Sequence, residues 1–179
     1  MNLVVRLLVA AIVLLLAACA AMPQGAPDEL TLRLPPASLG RELALQQRMT
    51  VVALGRSQQM DVAIEVDAEA VRLAVLVLGQ TVARLEWDGR ELTESRASGW
   101  PAAVTGARVL SDLQLVHWPA EAIRAALPAG WSLQADGAGR VLFFRDVPVI
   151  KVRYPAPATA ELDNVAAGYR LLLEGWPAR

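Results

Sequence analysis

Hydrophobic and polar residues alternate along much of this chain. Leu43, Leu45, Met49 and Val51 share one parity, and Glu42, Gln46, Arg48 and Thr50 hold the other. Met60, Val62, Ile64 and Val66 alternate in the same way with Asp61, Ala63 and Glu65. A period of two puts one set of side chains on a dry face and the other in water, so both stretches read as strands. Residues 71–78 (VRLAVLVL) are more continuously apolar and predict a central strand buried on both faces. Alternation returns over 81–87, where Leu85 and Trp87 oppose Arg84 and Glu86. Asp88-Gly89 is a strong hairpin signal, because both central positions of such a turn favour positive φ. Residues 91–95 lead back from it.

The period then changes. Val109, Leu110, Leu113 and Val116 recur at helical spacing, with Arg108, Asp112 and Gln114 on the other side. Trp118-Pro119 interrupts this helix, and Pro119 suits the first turn of a second one over 120–127, which Pro128 and Gly130 end. Strands follow at 131–135, 140–145 and 149–154, with turns at Asp136-Gly137 and at 146–148. Pro155 and Pro157 open a loop, and 169–174 (YRLLLE) reads as a closing strand. The predicted fold class is α+β: a curved antiparallel sheet with a short helical insert lying across one face.

The first 18 residues depart from this pattern. Arg6 is followed by an unbroken apolar run over 7–16, then by small residues. The run is too short to span about 30 Å of hydrocarbon comfortably, and it has the shape of an export signal. Leu16-Ala17-Ala18-Cys19 is a lipobox, in which the Cys19 thiol accepts a diacylglycerol. Cys19 is the only cysteine of the chain. Each buried methylene adds about 0.8 kcal/mol, so two or three acyl chains, palmitate among them, would hold the protein to a membrane permanently. Ala20 follows the cysteine where an Asp would mark inner-membrane retention, which favours the periplasmic face of the outer membrane. Residues 19–36 hold Pro23, Gly25, Pro27, Pro35 and Pro36 and are expected to form a flexible lipidated tether. One folded domain over 37–179 completes the division.

Composition narrows the functions. The chain has 179 residues, 55% hydrophobic and 20% charged, with 17 basic and 18 acidic side chains. Such a balance offers no footprint for nucleic acid. One histidine and one cysteine make no imidazole or thiolate metal site, and no cofactor fingerprint occurs. His117 and Asp112 are five residues apart beside Ser111, a spacing that does not converge a hydrolytic triad, so no catalytic residue is expected. Asp61 and Glu65 share a strand face but stand about 13 Å apart, too far for a paired acid and base.

The lipobox, the stretch Val109-Leu110-Ser111-Asp112-Leu113-Gln114-Leu115-Val116-His117-Trp118-Pro119 and the closing 164–173, with Gly168-Tyr169-Arg170, resemble an uncharacterised family of bacterial outer-membrane lipoproteins associated with aryl-polyene clusters. That family is similar in layout to LolA and LolB. The resemblance implies a half-open β-barrel with a helical lid over an apolar cavity. Leu73, Val75, Val77, Leu85, Val109, Leu113, Phe143, Ile150 and Val152 are the expected lining, joined by Trp87 and Trp118, with Trp131 a further aromatic candidate. The same residues would also suit a solid core. The expected role is binding or transfer of a hydrophobic ligand (an acyl chain, an aryl-polyene lipid or a lipoprotein chain) at the outer membrane, with a periplasmic carrier protein as a possible partner. The alternative is a docking partner of an envelope pathway that carries no ligand.

Overall fold

The structure is a computed structural model that describes residues 29–175. The export signal, Cys19 and most of the expected tether lie outside the described residues. The strands are β1 (Leu43–Ala53), β2 (Arg56–Val66), β3 (Val71–Val77), β4 (Gln80–Trp87), β5 (Leu92–Arg96), β6 (Trp131–Ala135), β7 (Gly139–Phe144), β8 (Val147–Ala156), β9 (Thr159–Asn164) and β10 (Tyr169–Gly175). Two helices, α1 (Gly106–His117) and α2 (Ala120–Ala126), separate β5 from β6.

All ten strands form one antiparallel sheet in the order β5-β4-β3-β2-β1-β10-β9-β8-β7-β6. Each half is a meander of neighbouring hairpins. The halves join where β1 pairs with β10, from Gln47 opposite Gly175 to Ala53 opposite Tyr169. The sheet does not close, since β5 and β6 remain its two edges. It must nevertheless curl. β5 and β9 are six strand spacings apart, about 29 Å on a flat sheet. One helix about 10 Å across packs against both.

The helical insert follows the sequence closely. Thr105 caps α1 by accepting the Arg108 N–H, and α1 ends where Trp118 turns extended ahead of Pro119. The predicted wet side of α1 is not wet, however. Ser111, Asp112 and Gln114 are buried along with Leu110, Leu113, Leu115 and Val116. The reason lies upstream, where an extended strap, residues 29–34, runs along the helix and covers it. Leu32 and Leu34 of this strap are only 2% and 4% exposed. The flexible tether expected to reach residue 36 is therefore packed chain from the strap onward.

Other differences have local causes. Residues 71–78 do not make a strand buried on both faces: Arg72 is exposed between buried Val71 and Leu73, and Leu78 lies beyond the strand in the turn. The loop expected after Pro157 contains β9, whose inward positions Ala160, Leu162 and Asn164 carry too little apolar signal to announce a strand. The turn expected at 146–148 is tighter, using Arg145 and Asp146 at φ 47° and 67°. Pro148 and Pro155 lie within β8, next to its two register irregularities, where a missing N–H is tolerated.

Candidate functional site

Of the side chains expected to line a cavity, most meet in one cluster. Leu73 and Val75 from β3, Leu85 and Trp87 from β4, Leu113 and Trp118 around α1, and Ile150 and Val152 from β8 are all buried. Val109 packs against the cluster from its margin. Val77 is half-buried at the end of β3. Phe143 does not join them. It follows Leu142, which faces the core opposite Ile150, so the pleat turns Phe143 to the other side of the sheet.

What the sequence did not reveal is what covers the polar side of α1. The strap does. Its backbone is read by buried polar side chains of α1 and β4. Ser111 Oγ accepts the Leu32 N–H at 3.1 Å and donates to the Leu30 carbonyl at 3.2 Å. Gln114 Oε1 accepts the Leu34 N–H at 3.0 Å while its Nε2 donates to the Leu34 carbonyl at 2.9 Å. The Trp87 indole N–H donates to that same carbonyl at 2.8 Å. Next comes a short 3-10 turn, Pro36–Leu39, where Ser38 Oγ accepts the Trp118 indole N–H at 3.0 Å. Burying an extended segment requires partners for its N–H and C=O groups, and these side chains supply them. Trp118 is 0% exposed and Trp87 is 3% exposed, so both are packed core.

The strap has a direction. Glu29 pairs with Arg108 at 2.5 Å, and Arg108 lies over the Tyr169 ring at 5.5 Å. Tyr169 pairs with Ala53 at the turn end of β1. From there the strap descends past Ser111 and Gln114 towards Trp87, at the opposite end of the sheet. The described chain therefore begins at the sheet end that carries the β1–β2 turn.

Beside the start of the strap is an open cleft of about 890 Å³. Residues 29–33 form one wall, and Ala126, Pro128, Ala129, Gly130, Trp131, Phe144 and Arg145 form the other. None of the eleven expected lining residues borders it. Trp131 and Phe144 sit with ring centroids 5.1 Å apart at 52°. Gly130 has φ 85°, and a Cβ there would stand 3.2 Å from the Phe144 ring, so the glycine lets the loop close on the aromatic pair. The volume lies within the range of small-molecule sites, and the walls combine apolar surface with charges at the rim.

Two ionisable groups near the strap are strongly perturbed. Asp112 accepts a hydrogen bond from the Tyr169 hydroxyl at 2.6 Å, and Asn164 Nδ2 donates to that hydroxyl at 3.1 Å. Burial raises the Asp112 carboxyl to about 7, against the opposing pull of Tyr169 and Arg108. Burial also pushes the Tyr169 phenol well above its ordinary value, helped by the Asp112 charge. His117 lies at the other end of α1. Burial, with the Arg41 and Arg140 charges, lowers it to about 4. Among the described residues its Nε2 is a buried side-chain polar atom with no hydrogen-bond partner. Ser111, Asp112 and His117 thus face three different surroundings, and no hydrogen bond links them.

A search of curated proteins finds no match to this sequence. The family model described as a protein of unknown function, DUF3261, matches residues 44–176. That match spans β1 to the end of β10 and covers well over half of the chain, so this protein belongs to the DUF3261 family.

Proposed function

We propose that this is a lipid-anchored protein of the periplasmic face of the outer membrane that binds a hydrophobic chain, acyl or aryl-polyene, and helps to deliver it. The observation that carries the reading is the cleft between the strap and the Trp131–Phe144 pair. It opens at the sheet end where the described chain begins, ten residues downstream of Cys19. A ligand leaving a bilayer would meet it there. Binding would rest on exclusion of water by the aromatic pair, the strap leucines and the residues after α2, with no covalent step. In the finer fold reading, the open sheet is a half-barrel of the LolA/LolB kind, its helices are the lid, and the strap occupies much of the enclosed space.

The test uses the mature chain from residue 19 with Cys19→Ser, purified without detergent from a host that makes the native lipids. Native mass spectrometry followed by organic extraction should reveal a bound lipid. Trp131→Ala should reduce uptake of an added fluorescent fatty acid several-fold. A clean unliganded mass, with no uptake of any acyl probe, would overturn the reading. It would favour instead a docking partner without cargo, a role to which the filled interior is equally suited.

A further inference from the structure

An extended chain offers main-chain donors and acceptors along two edges, and successive residues face opposite edges. The strap is bonded along only one of them. Leu30, Leu32 and Leu34 direct their groups at Ser111, Gln114 and Trp87, through five hydrogen bonds. Thr31 and Arg33 therefore turn theirs to the other edge. Among the described residues, no group bonds to the N–H or C=O of either. Both residues are exposed. Their main-chain groups repeat at about 7 Å, the spacing of alternate residues on a strand. The strap thus presents a short stretch of open strand edge, held straight by side chains behind it.

That edge borders the cleft. The far wall is different in kind, because its main chain is already paired: the Trp131 N–H donates to the Pro128 carbonyl at 3.1 Å, and the Arg145 N–H to the Gly130 carbonyl at 2.8 Å. It offers side chains instead, above all the Trp131–Phe144 pair. The edge of β6 just beyond is guarded, since α2 packs beside it and Arg124 Nε donates to the Leu133 carbonyl at 3.1 Å. The charges of the lining are unequal. Glu29 is paired with Arg108, which leaves Arg33 and Arg145 as an excess of positive charge, the second lying over the Phe144 ring at 5.1 Å. A hydrocarbon chain can use the aromatic wall, but it has nothing to give the main-chain groups of Thr31 and Arg33. An extended polypeptide can use both walls at once.

We propose that the strap is a docking edge for an extended acidic segment of a partner protein, which pairs its main chain with Thr31 and Arg33 and lays an apolar side chain on the Trp131–Phe144 pair. This is strand addition, in which main-chain bonds supply affinity and alternate side chains supply specificity. Arg33 and Arg145 select acidic neighbours on the added strand. The five bonds behind the strap fix its conformation beforehand, so little ordering is left for the moment of binding. The proposal rests on the reading of the cleft as a binding site. It does not depend on Cys19 or on an acyl cargo, because it uses the strap's main chain where that reading uses the aromatic wall.

The test uses the mature chain with Cys19→Ser and a fluorescent seven-residue peptide in which four glutamates alternate with valine, phenylalanine and valine. Fluorescence anisotropy should show saturable binding below millimolar peptide. Two further peptides carry N-methyl groups on alternate residues, one set along each edge. One of the two should bind at least tenfold more weakly than the parent peptide, because its pairing edge is blocked. Equal binding by all three peptides would overturn the proposal, and so would no binding at millimolar peptide. A peptide with lysine for glutamate should bind at least tenfold more weakly, and equal binding would remove the acidic preference. Amide hydrogen exchange followed by NMR gives the location. Peptide should slow exchange at Thr31 and Arg33 at least tenfold, and protection confined to β5 or β6 would place the added strand elsewhere and sink the assignment. Thr31→Pro removes one outward N–H and should weaken binding at least tenfold while thermal unfolding stays cooperative. If that variant does not fold, the methylated peptides still decide. Uptake of a fluorescent fatty acid by the same preparation separates the two readings: uptake without peptide binding refutes this proposal alone, and peptide binding without uptake refutes the acyl cargo alone.

Discussion

Asp112 and His117 lie five residues apart on one helix and act on stability in opposite senses. Asp112 is raised from 3.8 to about 7, so between those values the folded state holds a proton that the unfolded chain has lost. Its contribution to stability therefore falls as pH rises through that window. His117 is lowered from 6.5 to about 4, so in that range the unfolded chain binds the extra proton. Its contribution falls as pH drops. Between about pH 4 and 6.5 the two slopes oppose each other, and the parent should show a nearly flat stability profile. Asp112→Asn keeps an acceptor for Tyr169 but removes one titration. Its stability should then decline on acidification from pH 6.5 to 4 by roughly 3 kcal/mol, the amount that the His117 shift implies. Denaturant midpoints at pH 7, 5.5 and 4 measure this, and parallel curves for the two proteins would refute it.

The strap is where reading the sequence and reading the structure part most instructively. Leu30, Leu32 and Leu34 alternate with Thr31 and Arg33, the same period-two signal that located β1 and β2. The surrounding prolines concealed it, because they also describe a loose linker. Gln114 and Asp112 were misplaced for the same reason: a helix beside an unsuspected strap looks amphipathic and is not. β1 to β8 and both helices were legible because their apolar periods are clear and their turns carry Gly, Pro or Asp. β9 was not, since its inward face is Ala160, Leu162 and Asn164. The cleft was not legible either, because it joins residues 29–33 to 126–145 and no local pattern records that meeting. Trp131 is the one residue of its lining that the sequence singles out as a cavity candidate. If the strap is part of the fold, Leu32→Ala should lower stability by about 2–5 kcal/mol, the usual cost of a buried leucine. Gln114→Ala should cost about 2 kcal/mol by stripping the Leu34 N–H of its acceptor. A freely moving linker would make both substitutions neutral, and urea denaturation distinguishes the cases.

At the scale of the whole molecule the two halves of the sheet are held together by the β1–β10 seam and by the strap and helices that span the inside. The seam pairs Gln47 with Gly175, so most of the chain must be placed before it forms. Topology of this kind folds slowly, in milliseconds to seconds. The described chain begins at the end of the sheet that carries the β1–β2 turn. Under the proposed lipid-anchor reading, the acyl chains would hold it at a membrane. An acyl chain contributes about 0.8 kcal/mol per buried methylene, and a lipoprotein cysteine carries at least two chains. Retention should therefore depend on Cys19. Replacing residues 1–18 with a plain cleavable export signal, together with Cys19→Ser, should shift the protein from the membrane fraction to the soluble periplasmic fraction. If that protein stays with the membrane after a high-salt wash, the acyl anchor is not what holds it.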